Sequence, residues 1–255
     1  MAAAIELMNL TVGFSDRAVI DGFSAAVDVG RLVAIIGPNG AGKSTLVRAM
    51  AGLVPVRAGR VRIGELDPHQ CARRTLAKQL AYVPQRYELG FPFTVAEVVL
   101  MGRYAWSRGL GPDRDDERAR AEQALAAVEL TALAHRRFDE LSGGEQRRVL
   151  LAQAWCQAAP VTVLDEPTAA LDPAHARDVF ERLRAHVAGG ATAVVVTHDL
   201  NLALRYADEL WVIADGRLRQ RGDARAVLAT GVLSEVFAVK WHIGEVDAQP
   251  FVVAR

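Results

Sequence analysis

The sequence predicts an α/β fold, with an antiparallel β layer near its start and an inserted α-helical subdomain. The run 32–36 is apolar throughout, and three more short runs look like it, at 161–164, 193–196 and 210–213. Continuous apolar runs of this length suit central parallel strands that are covered on both faces. Helical segments fall between these runs, and such alternation of strands and helices indicates an α/β core.

The first third of the chain carries a second kind of strand pattern. Segments 5–14, 23–29 and 60–63 alternate apolar and polar residues. This period is typical of antiparallel strands with one buried face. These segments therefore predict the antiparallel β layer.

From about residue 87 to residue 159 the pattern is helical. Thr94 and Glu97 have the spacing of a capping box ahead of the apolar run 98–101. Residues 113–130 predict another helix, which is charged early and apolar later. No strand pattern interrupts this stretch, so it predicts a separate helical unit.

The last third returns to alternating strands and helices. Residues 174–187 predict a helix that two glycines close, and residues 214–217 predict a tight hairpin turn. The sequence therefore predicts a core made of residues 1–86 and 160–255, with residues 87–159 as the inserted α-helical subdomain.

The composition excludes several classes of protein. Lys plus Arg and Asp plus Glu each number 30, so no net charge indicates a nucleic-acid ligand or a bare anionic membrane. The N-terminus lacks the pattern of a signal peptide, and no run approaches the roughly 20 apolar residues that cross a bilayer. Cys71 and Cys156 predict unpaired thiols. We expect a cytosolic protein unless a membrane partner holds it.

A glycine-rich motif follows the first apolar run and opens a helix. It fits GxxxxGK[ST] and comprises Gly37, Pro38, Asn39, Gly40, Ala41, Gly42, Lys43, Ser44 and Thr45. Glycines in such a loop let successive N–H groups converge on phosphate oxygens, and the helix adds the positive end of its dipole. A glycine-rich turn without a ligand is the alternative. The strand before the motif and the helix after it favour the phosphate-binding loop of a P-loop NTPase core.

The chemistry of this loop predicts roles for two side chains. Lys43 would reach the β- and γ-phosphates of a nucleotide, and the Ser44 hydroxyl would bind Mg²⁺.

Two acids and a histidine follow other apolar runs. Asp165 and Glu166 come directly after one run, and His198 follows the next. In open α/β sheets, ligands bind at the carboxyl ends of the strands, so these side chains are predicted to lie beside the phosphate loop. Asp165 would hold Mg²⁺ through water, Glu166 would polarise the attacking water, and His198 would contact the γ-phosphate. Solvated side chains in surface turns are the alternative.

A further helix begins with a serine and two glycines. Ser142 and Glu145 have capping-box spacing around Gly143 and Gly144. A well-capped helix is the simple interpretation, and a second anion site at the helix N-terminus is the functional one.

Taken in order, these motifs resemble the ABC ATPase family over nearly the whole chain. The matching elements are an aromatic adenine-stacking residue (Phe14), the phosphate loop (37–45), the Q-loop glutamine (Gln85), the signature LSGGE (141–145), the acidic pair (Asp165 and Glu166), the D-loop (169–172) and the switch histidine (His198).

The resemblance implies that two copies of the chain sandwich two ATP molecules head to tail. The signature of one copy would cap the γ-phosphate that the phosphate loop of the other holds, through Ser142, Gly143, Gly144 and Glu145. It implies catalytic roles for Glu166, His198, Gln85 and Lys43. It also implies that Ser44, Gln85 and Asp165 hold Mg²⁺.

Three positions depart mildly from the family pattern. Phe14 stands where Tyr is commoner, Glu145 replaces the signature glutamine, and Ala169 stands where the D-loop often has Ser. We expect Phe14 to keep the stacking and Ala169 to remove one hydrogen bond across the dimer without abolishing hydrolysis.

A finer resemblance is to the ATPases of uptake systems for iron–siderophore complexes, heme and cobalamin. It rests on segments 94–104 and 197–203 and on the tail 228–237, which resembles the closing helix of that branch. It implies import of a metal chelate, with heme or a ferric siderophore first and cobalamin next. The partners would be two integral-membrane permease subunits and, indirectly, a periplasmic or surface substrate-binding protein. The chain would lie on the cytoplasmic face of the inner (plasma) membrane.

Other classes remain as alternatives. Zinc and manganese importers have similar cassettes, and export or lipid-transport ATPases share the catalytic motifs. A non-transport soluble ABC ATPase is a further alternative, although such proteins usually carry tandem cassettes or a long coiled-coil insertion. The aromatic residues after the Q-loop form either a groove for a permease helix or the core of the subdomain itself; they are Tyr87, Phe91, Phe93, Tyr104 and Trp106.

Overall fold

A computed structural model describes residues 3–14, 17–87, 90–106, 114–169 and 171–255 of the chain. Its strands are β1 (Ala3–Phe14), β2 (Arg17–Asp28), β3 (Leu32–Ile36), β4 (Val56–Ile63), β5 (Leu80–Val83), β6 (Val161–Asp165), β7 (Thr192–Val196), β8 (Glu209–Ala214), β9 (Arg217–Gly222), β10 (Trp241–Val246) and β11 (Gln249–Ala254). Its α-helices are α1 (Lys43–Met50), α2 (Arg73–Leu76), α3 (Val95–Leu100), α4 (Arg114–Ala127), α5 (Gly143–Cys156), α6 (Pro173–Ala188), α7 (Leu200–Tyr206), α8 (Ala224–Ala229) and α9 (Val232–Phe237). Short 3₁₀ helices span Met101–Ala105, Thr131–Leu133 and Phe138–Glu140.

The central sheet has the strand order β5-β6-β7-β3-β8-β9. Neighbours from β5 to β8 are parallel, and β9 closes the edge antiparallel to β8. Every residue of β3, β6 and β7 is buried, which explains why these strands are apolar without alternation. The four apolar runs of the sequence lie in β3, β6, β7 and β8, and the predicted α/β fold is confirmed.

The antiparallel layer is a separate three-stranded sheet with the order β2-β1-β4. This layer confirms the prediction, although β2 begins at Arg17 rather than at residue 23. The hairpin turn predicted at 214–217 joins β8 to β9.

Side chains of the central sheet point alternately into two hydrophobic cores. Val33 and Ile35 of β3 pack with the antiparallel layer and α1. Ala34 and Ile36, which alternate with them, pack in the core that the helices from α3 to α7 share. Both faces of β3 are therefore buried, and the phosphate loop begins at its carboxyl end.

The middle of the chain is helical, as the sequence predicts. Helices α3, α4 and α5 pack against one another, and α5 also packs against β5. The boundaries 1–86, 87–159 and 160–255 between core and subdomain remain a proposal. Within the described parts of the chain, no helix is both long and apolar enough to cross a bilayer.

The structure corrects the predicted limits of two helices. The helix predicted over 113–130 ends at Ala127, since Glu129 has a left-handed backbone conformation with φ 58°. Residue 113 lies outside the described residues. The closing helix predicted over 228–237 is divided into α8 and α9 at Gly231, whose φ is 72°.

Strand β5, the short helix α2 and the hairpin β10–β11 were not predicted from the sequence. The hairpin lies against α7, where the side chain of Asn201 pairs with the backbone of Val252. Its amide nitrogen donates to the carbonyl oxygen at 3.2 Å, and its amide oxygen accepts from the N–H at 2.8 Å. Because only Val252 of this hairpin is fully buried, its sequence shows little alternation.

Candidate functional site

The phosphate-binding motif forms the turn between β3 and α1. Gly37 has φ 156°, and a Cβ there would lie 2.1 Å from the carbonyl oxygen of Ile213 on β8. Gly42 has φ 96°, and a Cβ there would lie 2.7 Å from Cδ1 of Ile20 on β2. Both positions therefore require glycine. Four residues lie between them: Pro38, Asn39, Gly40 and Ala41. Asn39 and Gly40 are exposed, and Ala41 is buried.

Helix α1 begins directly after this turn, and its N-cap, Gly42, provides no side-chain hydrogen bond. The first N–H groups of a helix have no acceptor within the helix, and the positive end of its dipole lies there. The loop and the first turn of α1 therefore offer the donors that a phosphate group requires. Ser44 and Thr45 lie in this first turn.

Lys43 is 5% exposed and lies under the loop. Its Nζ donates hydrogen bonds to the carbonyl oxygens of Gly37 at 2.8 Å and Pro38 at 2.9 Å. Burial lowers the pKa of Lys43, while the negative charges of Glu166 and Asp165 act to raise it. The ammonium group is thus held between the loop and the two acids that the sequence predicted beside it.

Asp165 ends β6 and is fully buried. Ser44 Oγ donates to its Oδ1 at 2.8 Å, the Tyr82 hydroxyl donates to its Oδ2 at 3.3 Å, and Arg48 Nε lies 3.9 Å from Oδ2. Burial raises the pKa of Asp165, while the hydrogen bond from Ser44 and the charge of Arg48 act to lower it. Burial, and then the nearby charge of Asp165, raises the pKa of Tyr82 to about 12.

Arg48 and Tyr82 are contacts that the sequence analysis missed. Arg48 lies one helical turn after Ser44, so its presence on the same face of α1 is a signal that could have been found. Tyr82 belongs to β5, and its approach to Asp165 depends on the pairing of β5 with β6.

Glu166 directly follows β6 and has φ 51°, which is uncommon for a non-glycine residue. Gln85 Nε2 donates to its Oε2 at 2.5 Å, and His198 Nε2 lies 2.6 Å from its Oε1. The Glu166 side chain is 13% exposed and that of His198 is 44% exposed. The structure thus joins three side chains that follow three different strands, β5, β6 and β7, at one edge of the sheet.

The signature segment forms the capped start of α5. Ser142 Oγ accepts from the N–H of Glu145 at 3.3 Å, and the Ser142 N–H donates to Glu145 Oε2 at 2.8 Å. Ser142 Oγ also donates to Glu145 Oε2 at 2.7 Å, and this bond, together with the one from the Ser142 N–H, lowers the pKa of Glu145. Gly143 and Gly144 occupy the first turn, and a Cβ at Gly144 would lie 3.2 Å from the His175 ring. The geometry supports the capping interpretation and leaves glycine backbone at the helix N-terminus.

The signature segment is separate from the acidic group within one chain. Among the described residues, no hydrogen bond or ion pair links 142–145 to the side chains of Lys43, Asp165, Glu166 or His198. The contact between α5 and this region runs instead through Arg147, which the sequence analysis did not single out.

Two other predicted site regions lie at the periphery. Phe14, at the end of β1, is 53% exposed, and its adenine-stacking role remains a prediction. Of the predicted D-loop 169–172, residue 170 lies outside the described residues. Asp172 caps α6 by accepting from the N–H groups of Ala174 and His175 at 3.0 Å each. Its Oδ2 lies 2.5 Å from His175 Nδ1.

The aromatic residues after Gln85 divide into two groups. Phe91 is 73% exposed and Tyr104 is 81% exposed. Tyr87 and Phe93 pack on the helical core, and the Trp106 indole N–H donates to a carbonyl oxygen at the end of α5. Of these five residues, Phe91 and Tyr104 are therefore the two that are exposed enough to contact a partner protein.

Comparison with known proteins agrees with the geometry. The family described as "ABC transporter" matches residues 20–169. The hemin import ATP-binding protein of Nocardia farcinica is 46% identical over 224 residues, which cover 87% of this chain and 76% of that protein. The cobalamin import ATP-binding protein of Halobacterium salinarum is 41% identical over 241 residues, which cover 94% of this chain and 60% of that protein.

Solved structures show the same fold. A metal-chelate type ABC transporter in an inward-facing conformation aligns with a TM-score of 0.84 at 26% identity, covering 100% of this chain and 97% of that one. The cassette MJ0796, in a dimeric post-hydrolysis state with ADP and phosphate, aligns with a TM-score of 0.77 at 27% identity, covering 87% of this chain and 99% of that one. The chain therefore belongs to the ABC transporter family, as one of its ATP-hydrolysing subunits.

Proposed function

We propose that this ATPase powers an ABC importer for a metal chelate, and that two copies of the chain form its ATP sites head to tail. One observation carries the catalytic part of the proposal. Each oxygen of the Glu166 carboxylate contacts one side chain, Oε2 that of Gln85 and Oε1 that of His198. This carboxylate lies beside the phosphate-binding loop.

The residues present fit Mg²⁺ together with the nucleotide. Mg²⁺ prefers oxygen ligands and keeps several waters. Ser44 and Asp165 supply a hydroxyl and a carboxylate that lie 2.8 Å apart, and Gln85 adds an amide oxygen. When bound, Mg²⁺ neutralises charge that develops on the β- and γ-phosphates.

The side chains of the site then have separate roles in hydrolysis. Lys43 and the loop N–H groups hold the phosphates in place, so that hydrolysis depends mainly on positioning and electrostatic stabilisation. Glu166 orients the attacking water and accepts its proton. Gln85 and His198 hold the two oxygens of Glu166, which fixes the direction in which that carboxylate faces.

The separation of the signature segment from these residues supports the dimer. A glycine-flanked helix N-terminus is an anion site, yet within one chain it does not join the group around Glu166. In a head-to-tail dimer, Ser142, Gly143 and Gly144 of one copy would complete the site of the other. The similarity to a cassette with a dimeric post-hydrolysis state supports this arrangement.

The names of the relatives support a cargo and a location. Proteins named for hemin import and cobalamin import are 46% and 41% identical to this chain, so heme is the first candidate and cobalamin the second. The ATPase would be held at the cytoplasmic face of the membrane by two permease subunits, and a substrate-binding protein would deliver the cargo. The exposed Phe91 and Tyr104 are candidate permease contacts.

The catalytic assignment is tested by Glu166→Gln. We expect this variant to bind ATP normally and to lose at least about a hundredfold in turnover, because the amide cannot accept the proton. Glu122→Gln, on the exposed surface of α4, is the matched control and should hydrolyse ATP at the wild-type rate. Wild-type turnover in Glu166→Gln would reject Glu166 as the base.

The transport assignment needs a separate measurement. We would reconstitute the ATPase with its genomically adjacent permease in vesicles and add the binding protein loaded with heme, a ferric siderophore, cobalamin or zinc. Stimulation by the heme-loaded protein is the expected result. Stimulation by ribosomes or DNA instead would reject the transport function.

A further inference from the structure

We propose that Arg147 is a positioning residue, which reaches from the signature helix to the backbone of Gln85 and thereby sets the contact between Gln85 and Glu166. The proposal rests on the proposed function, since its effect is expressed in the rate of ATP hydrolysis.

The contact is a fork on two consecutive carbonyl groups. Arg147 Nη1 donates to the carbonyl oxygen of Pro84 at 3.0 Å, and Nη2 donates to that of Gln85 at 2.8 Å. A planar guanidinium that binds two acceptors fixes orientation as well as distance. Arg147 is half-buried, and this burial lowers the pKa of its guanidinium. Hydrogen bonds are stronger in such a partly dry environment than in water.

The backbone at Gln85 needs this support because the sheet ends before it. The last pair between β5 and β6 is Val83 with Leu164, so residues 84 and 85 lie beyond the ladder. From there the Gln85 side chain reaches back to Glu166 Oε2 at 2.5 Å. Among the described residues, Arg147 therefore holds the backbone at Gln85 in place.

The other end of the connection is α5 itself. Ser142 caps this helix, and Arg147 lies in its second turn. Gln157, just past the end of α5, also donates to the carbonyl oxygens of Ala77 at 2.6 Å and Leu80 at 2.8 Å. Helix α5 is thus fastened to β5 near both of its ends.

On the proposed head-to-tail pairing, this geometry links two ATP sites. Ser142 of one chain faces the nucleotide of its neighbour, and Arg147 of the same helix holds Gln85 in its own site. If ATP binding at the neighbour's site shifted α5, Gln85 would move relative to Glu166. The two hydrogen bonds from Arg147 to the carbonyl groups of Pro84 and Gln85 would transmit this shift directly.

A purely structural role for Arg147 makes a different prediction, and a double-mutant cycle separates the two. Arg147→Met keeps the length of the side chain and removes both donors. Gln85→Ala removes the side chain that touches Glu166 but keeps both carbonyl groups that Arg147 binds. Any contribution of the fork to stability therefore survives in Gln85→Ala, whereas its contribution to catalysis does not.

We expect Arg147→Met to lower kcat by about tenfold and to change KM for ATP by less than about twofold, because positioning acts on the chemical step. In the Gln85→Ala background the same substitution should change kcat by less than about twofold. Arg177→Met, on the exposed surface of α6, is the control and should leave kcat unchanged. Thermal unfolding and equilibrium ATP binding are measured for every variant.

Equal loss of kcat in both backgrounds would overturn the proposal, as would a lower unfolding temperature with unchanged kcat. If Arg147→Met does not fold, Arg147→Lys is carried through the same cycle; its single ammonium group cannot form the fork, so its kcat loss should again disappear in Gln85→Ala. Failure of the proposed function is recognised separately, because wild type would not hydrolyse ATP or Glu166→Gln would retain full turnover.

Discussion

At the residue scale, the two acids of the site receive hydrogen bonds from side chains that lie far from them in the sequence. The positions of Lys43, Ser44 and Glu166 were predictable because they depend on local turns after apolar strands. Tyr82 and Arg147 were not, because their contacts depend on strand pairing and on how α5 packs against β5. Such contacts have no fixed spacing along the sequence.

The environment of Asp165 leads to a prediction at this scale. Tyr82→Phe keeps the ring and removes the hydroxyl that donates to the buried carboxylate. We expect the free energy of unfolding to fall by about 1 kcal/mol, because the acceptor stays buried while it loses a donor. Chemical denaturation measures this change. Tyr104→Phe, at a side chain that is 81% exposed, should shift the same free energy by less than about 0.5 kcal/mol. Equal effects in the two variants would contradict a role for the Tyr82 hydroxyl.

At the element scale, the strands of the central sheet were the most predictable part of the fold. Strands buried on both faces leave an uninterrupted apolar signal, as in β3, β6 and β7. The hairpin β10–β11 left no such signal, since it is mostly exposed and is held by the side chain of Asn201. The break between α8 and α9 likewise depends on one left-handed glycine, Gly231.

The packing of α5 on α6 predicts a pH dependence of stability. His186 of α6 stacks on Trp155 of α5, with ring centroids 5.2 Å apart and planes at 24°. Burial lowers the pKa of His186 below its ordinary value of 6.5. The folded state therefore binds this proton less readily than the unfolded state does. Its contribution to stability is full above pH 6.5 and is lost as the pH falls below that value.

His186→Phe tests this dependence, because it keeps the stack and removes the titration. We expect the free energy of unfolding of wild type to fall between about pH 7.5 and about pH 5.5, by at most about 1.4 kcal/mol per pH unit from this group. The difference between wild type and His186→Phe should grow in favour of the variant as the pH falls. A difference that does not change with pH would exclude the His186 contribution. His135→Phe, at an exposed position, is the control for losing a histidine.

At the scale of the whole molecule, the fold class and the order of its layers followed from the sequence, and the completeness of the ATP site did not. One chain holds the phosphate loop and the group around Glu166, while Gly143 and Gly144 lie at the start of another helix that does not join them. We propose that a second copy of the chain supplies the helix N-terminus that the ATP site of the first copy lacks.

The most direct test mixes two inactive variants. Glu166→Gln keeps an intact signature, and Gly143→Asp keeps an intact catalytic half. A Cβ at Gly143 meets nothing within 4 Å, and an acid in the first turn suits the helix dipole, so this variant should fold while its charge repels a phosphate. Each variant alone should be nearly inactive.

When equal amounts are mixed before ATP is added, half of the dimers combine the two variants, and each of these has one intact site. We therefore expect the mixture to recover about a quarter of wild-type ATP hydrolysis, while nucleotide binding by the separate variants stays measurable. Recovery near that level requires a site shared between two chains. A mixture no more active than the sum of its parts would contradict it.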